Sequence, residues 1–424
     1  MTNREMLRWR FARAGVVVTL SASSVALLGA ADWPQWRGPQ RTATSPETGL
    51  QKEWPAGGPR LVWQVKDAGQ GFSTPAVVGE RLYLLSNEGL QNELLKSLNV
   101  ADGKTAWSTR IGKVGNADQQ PSYPGARSTP TVDGETIYAL GSDGDLVALE
   151  TSTGRVQWKK NVRTDFGGVP GTWGYAESPL VDGETLVVTP GGSTSLVALN
   201  KRSGDVIWKS TVSGGEAAGY ASIAILQTGG VKQYVTFLEK GLVGVNARTG
   251  AFLWRDDRTA QGSAANIPTP VVGNGHVYNA TSQGGGALVK ITAVQEKVTA
   301  QPVYHERRLP GANGGSVLID GNLYGTNSAG LLCVDFLTGA VKWQDRSIGT
   351  ASIVHVDGRL YLHGEEGAVA LIEPTPAGYR EKGRFTPPGL PERGAAKAWP
   401  HPVVANGRLY IRDLGMLWSY DIKG

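Results

Sequence analysis

Cysteine occurs once in the 424 residues, as Cys333 within the apolar run Leu331 to Phe336. A single thiol excludes an internal disulfide framework, and its neighbours suggest a buried, inert side chain. Histidine is almost as scarce: His276, His305, His355, His363 and His401 show no metal-ligand spacing. No Gly-x-Ser-x-Gly, phosphate-binding loop or His-Glu-x-x-His is present, so the common signatures of serine hydrolases, P-loop nucleotide binders and zinc peptidases are missing. Asp143-Gly144-Asp145 could be mistaken for a calcium loop, but it lacks further oxygen ligands in register and reads as a turn.

A strong excess of one charge is lacking as well. The formal net charge is +5, of which Arg4, Arg8, Arg10 and Arg13 less Glu5 supply +3, all before residue 32. The remaining +2 over nearly 400 residues gives no reason to expect nucleic acid or an anionic membrane as partner. Residues 1–31 show the order of a secretory signal peptide: a basic stretch, the apolar run GVVVTLSASSVALLG, then Gly29-Ala30-Ala31. Cleavage after Ala30 or Ala31 and a periplasmic or secreted location follow. The alternative is an uncleaved anchor, against which stands a run of about 15 residues where a spanning helix needs ~20. No Cys follows the cleavage site to carry a lipid.

What is abundant is one recurring phrase. From Ser128 to Trp158 it reads STPTVDGETIYALGSDGDLVALETSTGRVQW. Two short apolar runs flank Asp133-Gly134, a hairpin dipeptide. A turn at Ser142 to Asp145 leads to a third strand, and Thr153-Gly154 turns into a fourth ending on Trp158. Versions of the unit span residues 73–107, 177–208, 221–254, 268–304, 315–343 and 351–385, with the Gly-to-Trp ending lost in 268–304 and 351–385. The last stretch, HPVVANGRLYIRDLGMLWSYDIKG, holds three strands only, and PRLVWQVK around Trp63 is a fourth strand without its preceding three.

The fold expected is therefore all-β: an eight-bladed β-propeller of four-stranded antiparallel blades over residues 59–424, closed by the Trp63 strand completing the last blade. The spacing of about 40 to 50 residues is that of propeller blades. An open solenoid is the competing architecture, but it leaves the two complementary incomplete ends unexplained. Residues 32–58, opening DWPQWRGPQRTATSPETGL, show neither helical nor strand periodicity. They are expected to be an irregular arm whose tryptophans pack on the outside of the domain, or else a partner-binding segment.

Repeats of the form LVALxxxTGxxxW resemble the pyrroloquinoline-quinone (PQQ) type propeller repeat, a family that includes PQQ-dependent alcohol dehydrogenases and BamB of the outer-membrane protein assembly machinery. The opening WPQWRGP and the segment Trp173 to Gly183 resemble uncharacterised secreted members. The resemblance implies the fold and leaves function open between scaffold and enzyme. As an enzyme the chain would be a quinoprotein oxidising an alcohol or sugar, with PQQ and calcium as cofactors. The single Cys cannot form the disulfide ring of those dehydrogenases, and there are no long insertions around a quinone. The favoured expectation is a non-catalytic binding propeller resembling BamB, without cofactor or metal, holding a protein or peptide partner as a monomer or within a larger complex.

The long Pro- and Gly-rich connections, Ile111 to Arg127 and Arg163 to Ala176, fall on the face opposite the tight first and third turns. The residues expected at the channel mouth there are Arg127, Tyr175, Glu177, Tyr220, Asn266, Asn313, Trp399 and His401, with Trp173 on the adjacent loop. Such a set could hold a polar planar ligand or a partner's side chain. Equally, these groups could satisfy one another and trapped water in a structural channel.

Overall fold

The hairpin turns obey two glycine rules. Where Gly occupies only the first loop position, as in Gly134-Glu135 between the paired residues Asp133 and Thr136, that Gly alone has positive φ (59°). Later blades place positive φ at both loop positions, as in Asp357-Gly358 (50° and 70°) and Asn406-Gly407 (56° and 73°). Both patterns match the right-handed twist of the flanking strands. The Asp133-Gly134 turn is thus centred one residue later than the dipeptide suggests.

In this computed structural model, which describes residues 31–120, 122–263 and 265–424, the strands form eight sheets. The signal-peptide expectation covers residues 1–31, of which 1–30 lie outside the described residues. Seven sheets are consecutive four-stranded meanders over residues 76–112, 131–161, 180–210, 224–256, 271–306, 316–345 and 351–385. The eighth combines residues 403–421 with Arg60–Val65, which pairs antiparallel to Met416–Asp421. The ring is closed by the beginning of the chain, leaving no open edge at the seam. Among the described residues no helix is long and apolar enough to cross a membrane.

The Gly-to-Trp ending is what docks one blade on the next. The indole N–H of Trp107 donates to the Thr151 carbonyl at 3.0 Å in the following blade, and a Cβ on Gly154 there would lie 2.5 Å from that indole. Trp158 and Trp208 repeat the bond to Lys201 and Ala247, at 3.0 and 3.2 Å. Trp63 does the same to Val100 at 2.8 Å, so the closing strand engages the first blade as any other fourth strand would. Trp254 departs from this pattern: it faces the fifth blade, which lacks the receiving glycine, and donates instead to Gln233 at 2.7 Å. Cys333 is buried and burial pushes its thiol pKa up.

The arm is the main correction to the sequence reading. Residues 33–45 do not pack outside; they plug the central channel and touch the inner edge of every blade, whereas Trp54 further along the arm reaches the fourth strand of the seventh blade, donating its backbone N–H to the Lys382 carbonyl at 2.8 Å and packing on Phe385. Trp33 exchanges both backbone hydrogen bonds with Val77 at 2.8 Å, and the Pro34 carbonyl accepts from Val132 N at 2.8 Å. Arg41 donates to the carbonyls of Ser178 (2.9 Å), Pro179 (3.1 Å) and Ile223 (3.0 Å). The Trp36 indole donates to the Thr269 hydroxyl at 2.8 Å, Arg37 donates to the Ser316 carbonyl, and the Ala43 carbonyl accepts from His355 N at 2.8 Å. Thr44–Ser45 then adds a short parallel strand to Ala351–Val356, and Trp36 meets His401 of the eighth blade. Arg37, Arg41 and Ala43 sit at φ of 59°, 59° and 61°, a strained conformation for side chains. Arg37 and Arg41 are each tied to inner-strand carbonyls, and the surrounding blades hold the coil in place.

Candidate functional site

The arm enters from the face of the tight turns, where Asp32 accepts from Gly79 N at 2.8 Å, and leaves toward the same face, where Glu47 accepts from Gly407 N. Its tip, Trp36, closes the channel partway. Above it, on the face of the long connections, lies a funnel of about 270 Å³.

Six aromatic side chains and the His401 imidazole line the wall. Trp36 meets His401 edge-on at 4.5 Å between centroids; Phe72 meets Trp399 at 5.0 Å; Trp399 meets Tyr123 at 5.2 Å. Tyr123 continues to Trp173 at 6.3 Å, and Trp173 to Tyr220 at 6.1 Å. These offset and edge contacts hold one another's orientation, which makes the wall preorganised rather than pliable. The Tyr220 hydroxyl fixes the Trp173 loop by accepting from its backbone N–H at 3.0 Å.

Arg127 supplies the charge. Its guanidinium lies 5.3 Å from the centre of the Phe72 ring and donates to the carbonyls of Trp173 (3.2 Å), Gly125 (3.4 Å) and Tyr123. Burial lowers its pKa to about 10, leaving it a cation at neutral pH. His401 is buried and its pKa is lowered by burial first and by Arg37 second, so its imidazole is neutral. Asn313, Gln283, Ser282, Ser222 and Thr74 add neutral polar groups, and among the described residues no Asp or Glu lines the cavity.

Arg127, Trp173, Tyr220, Asn313, Trp399 and His401 are thus brought together at one funnel. Tyr175, Glu177 and Asn266 are not. Tyr175 is 1 % exposed, packed with Val162 and Phe166, and its hydroxyl donates to the Pro190 carbonyl at 2.9 Å. Glu177 is buried and accepts from Thr189 N; burial raises its pKa to about 7, partly offset by Thr189 and Arg41. Asn266 clips its amide onto the carbonyls of Leu238 and Glu239 at 2.8 and 2.9 Å. The sequence reading missed Trp36, Phe72 and Tyr123. For Trp36 the signal is the WPQWRGP phrase itself, two tryptophans and an arginine within an otherwise aperiodic arm.

A sequence profile of the family described as outer membrane protein assembly factor BamB matches residues 53–172 and 91–345. The chain belongs to this family. Among curated BamB-family proteins, the one from Yersinia pestis is 23% identical over 228 residues, spanning 53% of this chain and 52% of that protein. The chain therefore aligns with about half the length of that relative. Among solved structures, BamB from Moraxella catarrhalis superposes with a TM-score of 0.60 at 15% identity, covering 85% of this chain and 99% of that one. The quinohemoprotein alcohol dehydrogenase from Comamonas testosteroni superposes with a TM-score of 0.63 at 12% identity, covering 93% and 81%. At these identities both show the fold alone.

The quinoprotein neighbour raises the question whether the funnel suits a calcium-bound quinone. Its donor set does not. Among the described residues no carboxylate lines the wall and no three His, Cys, Asp or Glu converge to hold a metal. Asp143 and Asp145 spend their carboxylates on Arg163 and Lys159, at 2.5 and 3.0 Å.

Proposed function

We propose that this BamB-family propeller is a non-catalytic binding scaffold of the cell envelope, periplasmic or secreted after loss of the first 30 or 31 residues, and that it holds a protein or peptide partner at the funnel. The observation that carries this reading is the funnel wall itself: Trp36, Phe72, Tyr123, Trp173, Tyr220 and Trp399 around a single cation, with no acid among them. Aromatic and arginine side chains are the groups that dominate binding energy at protein interfaces. A cavity of about 270 Å³ is at the lower limit of small-molecule pockets, roughly 300 to 1,000 Å³, and suits one or two side chains of a partner. The BamB-family relatives, named as outer membrane assembly factors, support an envelope setting.

Photo-cross-linking in the native cell tests it. A photoreactive residue in place of Ser282, at the funnel, should trap a discrete envelope protein, and one in place of Asp205, on an exposed tight turn, should not. Adding Trp173→Ala and Trp399→Ala should weaken the Ser282 cross-link. Equal trapping from both positions, or none from Ser282, would overturn the assignment of the binding face.

A further inference from the structure

The funnel has an electrostatic character that the scaffold role does not specify. Among the described residues that line it, Arg127 is the only ionised side chain. Its hydrogen bonds go to the backbone carbonyls of Trp173, Gly125 and Tyr123, and none goes to a carboxylate. A guanidinium without a counter-ion, set among rings that exclude water, keeps a stronger field than one at an open surface. Glu93, the acid whose charge acts on it, forms no ion pair with it and accepts instead from Ser142 N at 3.0 Å and from the Ser142 hydroxyl at 2.6 Å, between the first two blades.

Resting on the reading of this funnel as the binding site, we propose that its ligand is an anionic aromatic group: an aromatic side chain of a peptide with a carboxylate close by. The ring would enter between Trp173, Tyr220 and Trp399 over the Trp36 floor, and the carboxylate would meet Arg127, the one charge the cavity offers. Desolvating a carboxylate there is offset by the cation, whereas an ammonium or guanidinium on the ligand would meet like charge with no acid to receive it. Cationic peptides are thus excluded by the same residue that admits acidic ones. The carboxylate has two sources, a chain terminus or an Asp or Glu side chain beside the aromatic residue, and both present the same chemistry to Arg127.

Tryptophan fluorescence of the full chain, which carries Trp36, Trp173 and Trp399 at the site, is the readout. The probes are N-acetyl-phenylalanine, its amide, N-acetyl-alanine, and the dipeptide amides N-acetyl-Phe-Glu-amide and N-acetyl-Phe-Lys-amide. The free carboxylate should bind at least tenfold more tightly than the amide, with N-acetyl-alanine weaker than both. Phe-Glu-amide should exceed the N-acetyl-phenylalanine amide by a similar factor if a side-chain carboxylate serves and match that amide if only a terminal one does, with Phe-Lys-amide the weakest of the three in either case. Arg127→Gln should erase the tenfold preference. Because Arg127 also ties loops together, Asn313→Asp provides the second variant: it adds an acid to the wall, leaves the Arg127 bonds in place, and should erase the preference too. Equal binding of acid and amide by the unaltered protein, or binding of none of the probes, overturns this inference. If the Ser282 cross-link persists in that case, the ligand chemistry fails and the scaffold stands.

Discussion

The imidazole of His401 and the indole of Trp36 stand edge to face, 4.5 Å apart and at 66°. A residue from the last blade and one from the chain's beginning thereby floor the same funnel. Closure of the ring and construction of the site draw on one stretch of chain, since the segment that plugs the channel runs on to Arg60–Val65, the strand that completes the eighth sheet.

We predict that the plug is a stability element out of proportion to its length. Arg41→Ala removes the donors of three carbonyls near the channel axis, on Ser178, Pro179 and Ile223. The Pro179 carbonyl keeps its bond from the Thr131 hydroxyl at 2.6 Å, so two acceptors are left unsatisfied; at ~1–3 kcal/mol each the loss should be on the order of 3 kcal/mol. Arg41→Lys should not restore it, since one ammonium cannot span the carbonyls a guanidinium reaches. An unchanged urea midpoint for Arg41→Ala would show that the plug is ornamental. By the same argument deletion of residues 32–50 should be nearly as damaging as deletion of residues 32–66.

At the seam, Trp63→Ala should cost roughly 3–5 kcal/mol, the range for a large aromatic truncation. Trp63→Phe keeps a ring against Gly103 and forfeits only the bond to Val100, so about 1 kcal/mol is expected. Thermal unfolding that is cooperative in the parent and splits into two transitions for Trp63→Ala would also identify the seam as the weak point. Equal melting temperatures for all three proteins would contradict the closure.

Neighbouring aromatics should separate binding from folding. Tyr175→Ala empties a packed site and should destabilise by roughly 3–5 kcal/mol, while Trp173→Ala, on the funnel loop, should leave the melting temperature within a few degrees of the parent and weaken partner capture. A Trp173→Ala protein that captures its partner normally would remove this residue from the site.

A pH signature follows from Glu93 and Glu177. Both carboxyls are raised from 4.5 to about 7, burial being the first cause. The folded state therefore binds protons more tightly than the unfolded one, so the favourable contribution is fully present below pH 4.5 and is lost as pH rises through about 7. Each group accounts for roughly 3 kcal/mol at most across that window. Glu93→Gln should flatten the decline in stability between pH 5 and 7.5 and raise the melting temperature at pH 8 relative to the parent. A parallel pH profile for parent and variant would place the titration elsewhere.

The blade repeat was legible because its chemistry is local. Glycines at tight turns, apolar second and third strands and a terminal Trp can be read within about forty residues of one another, as the propeller period requires. The funnel was legible only in part, for a reason of parity. Along extended backbone successive side chains point to opposite sides, so Ala176 reaches the cavity while Tyr175 and Glu177 turn into the packing between blades. The same holds for Asn266, whose neighbours Ala265 and Ile267 line the cavity in its place. A one-residue error of the same kind displaced the Asp133-Gly134 turn.

From sequence alone came the repeat, the number of blades and the strand that closes them, since each is written in nearest-neighbour patterns of apolar and turn residues. Only the tertiary structure decided where the arm goes. Its partners are carbonyls and side chains distributed over eight blades, and its backbone at Arg37, Arg41 and Ala43 takes a conformation with no local preference to announce it. An eight-bladed ring leaves an axial space its inner strands do not fill, and the segment that fills it is selected by the sum of those distant contacts, which no window of sequence contains.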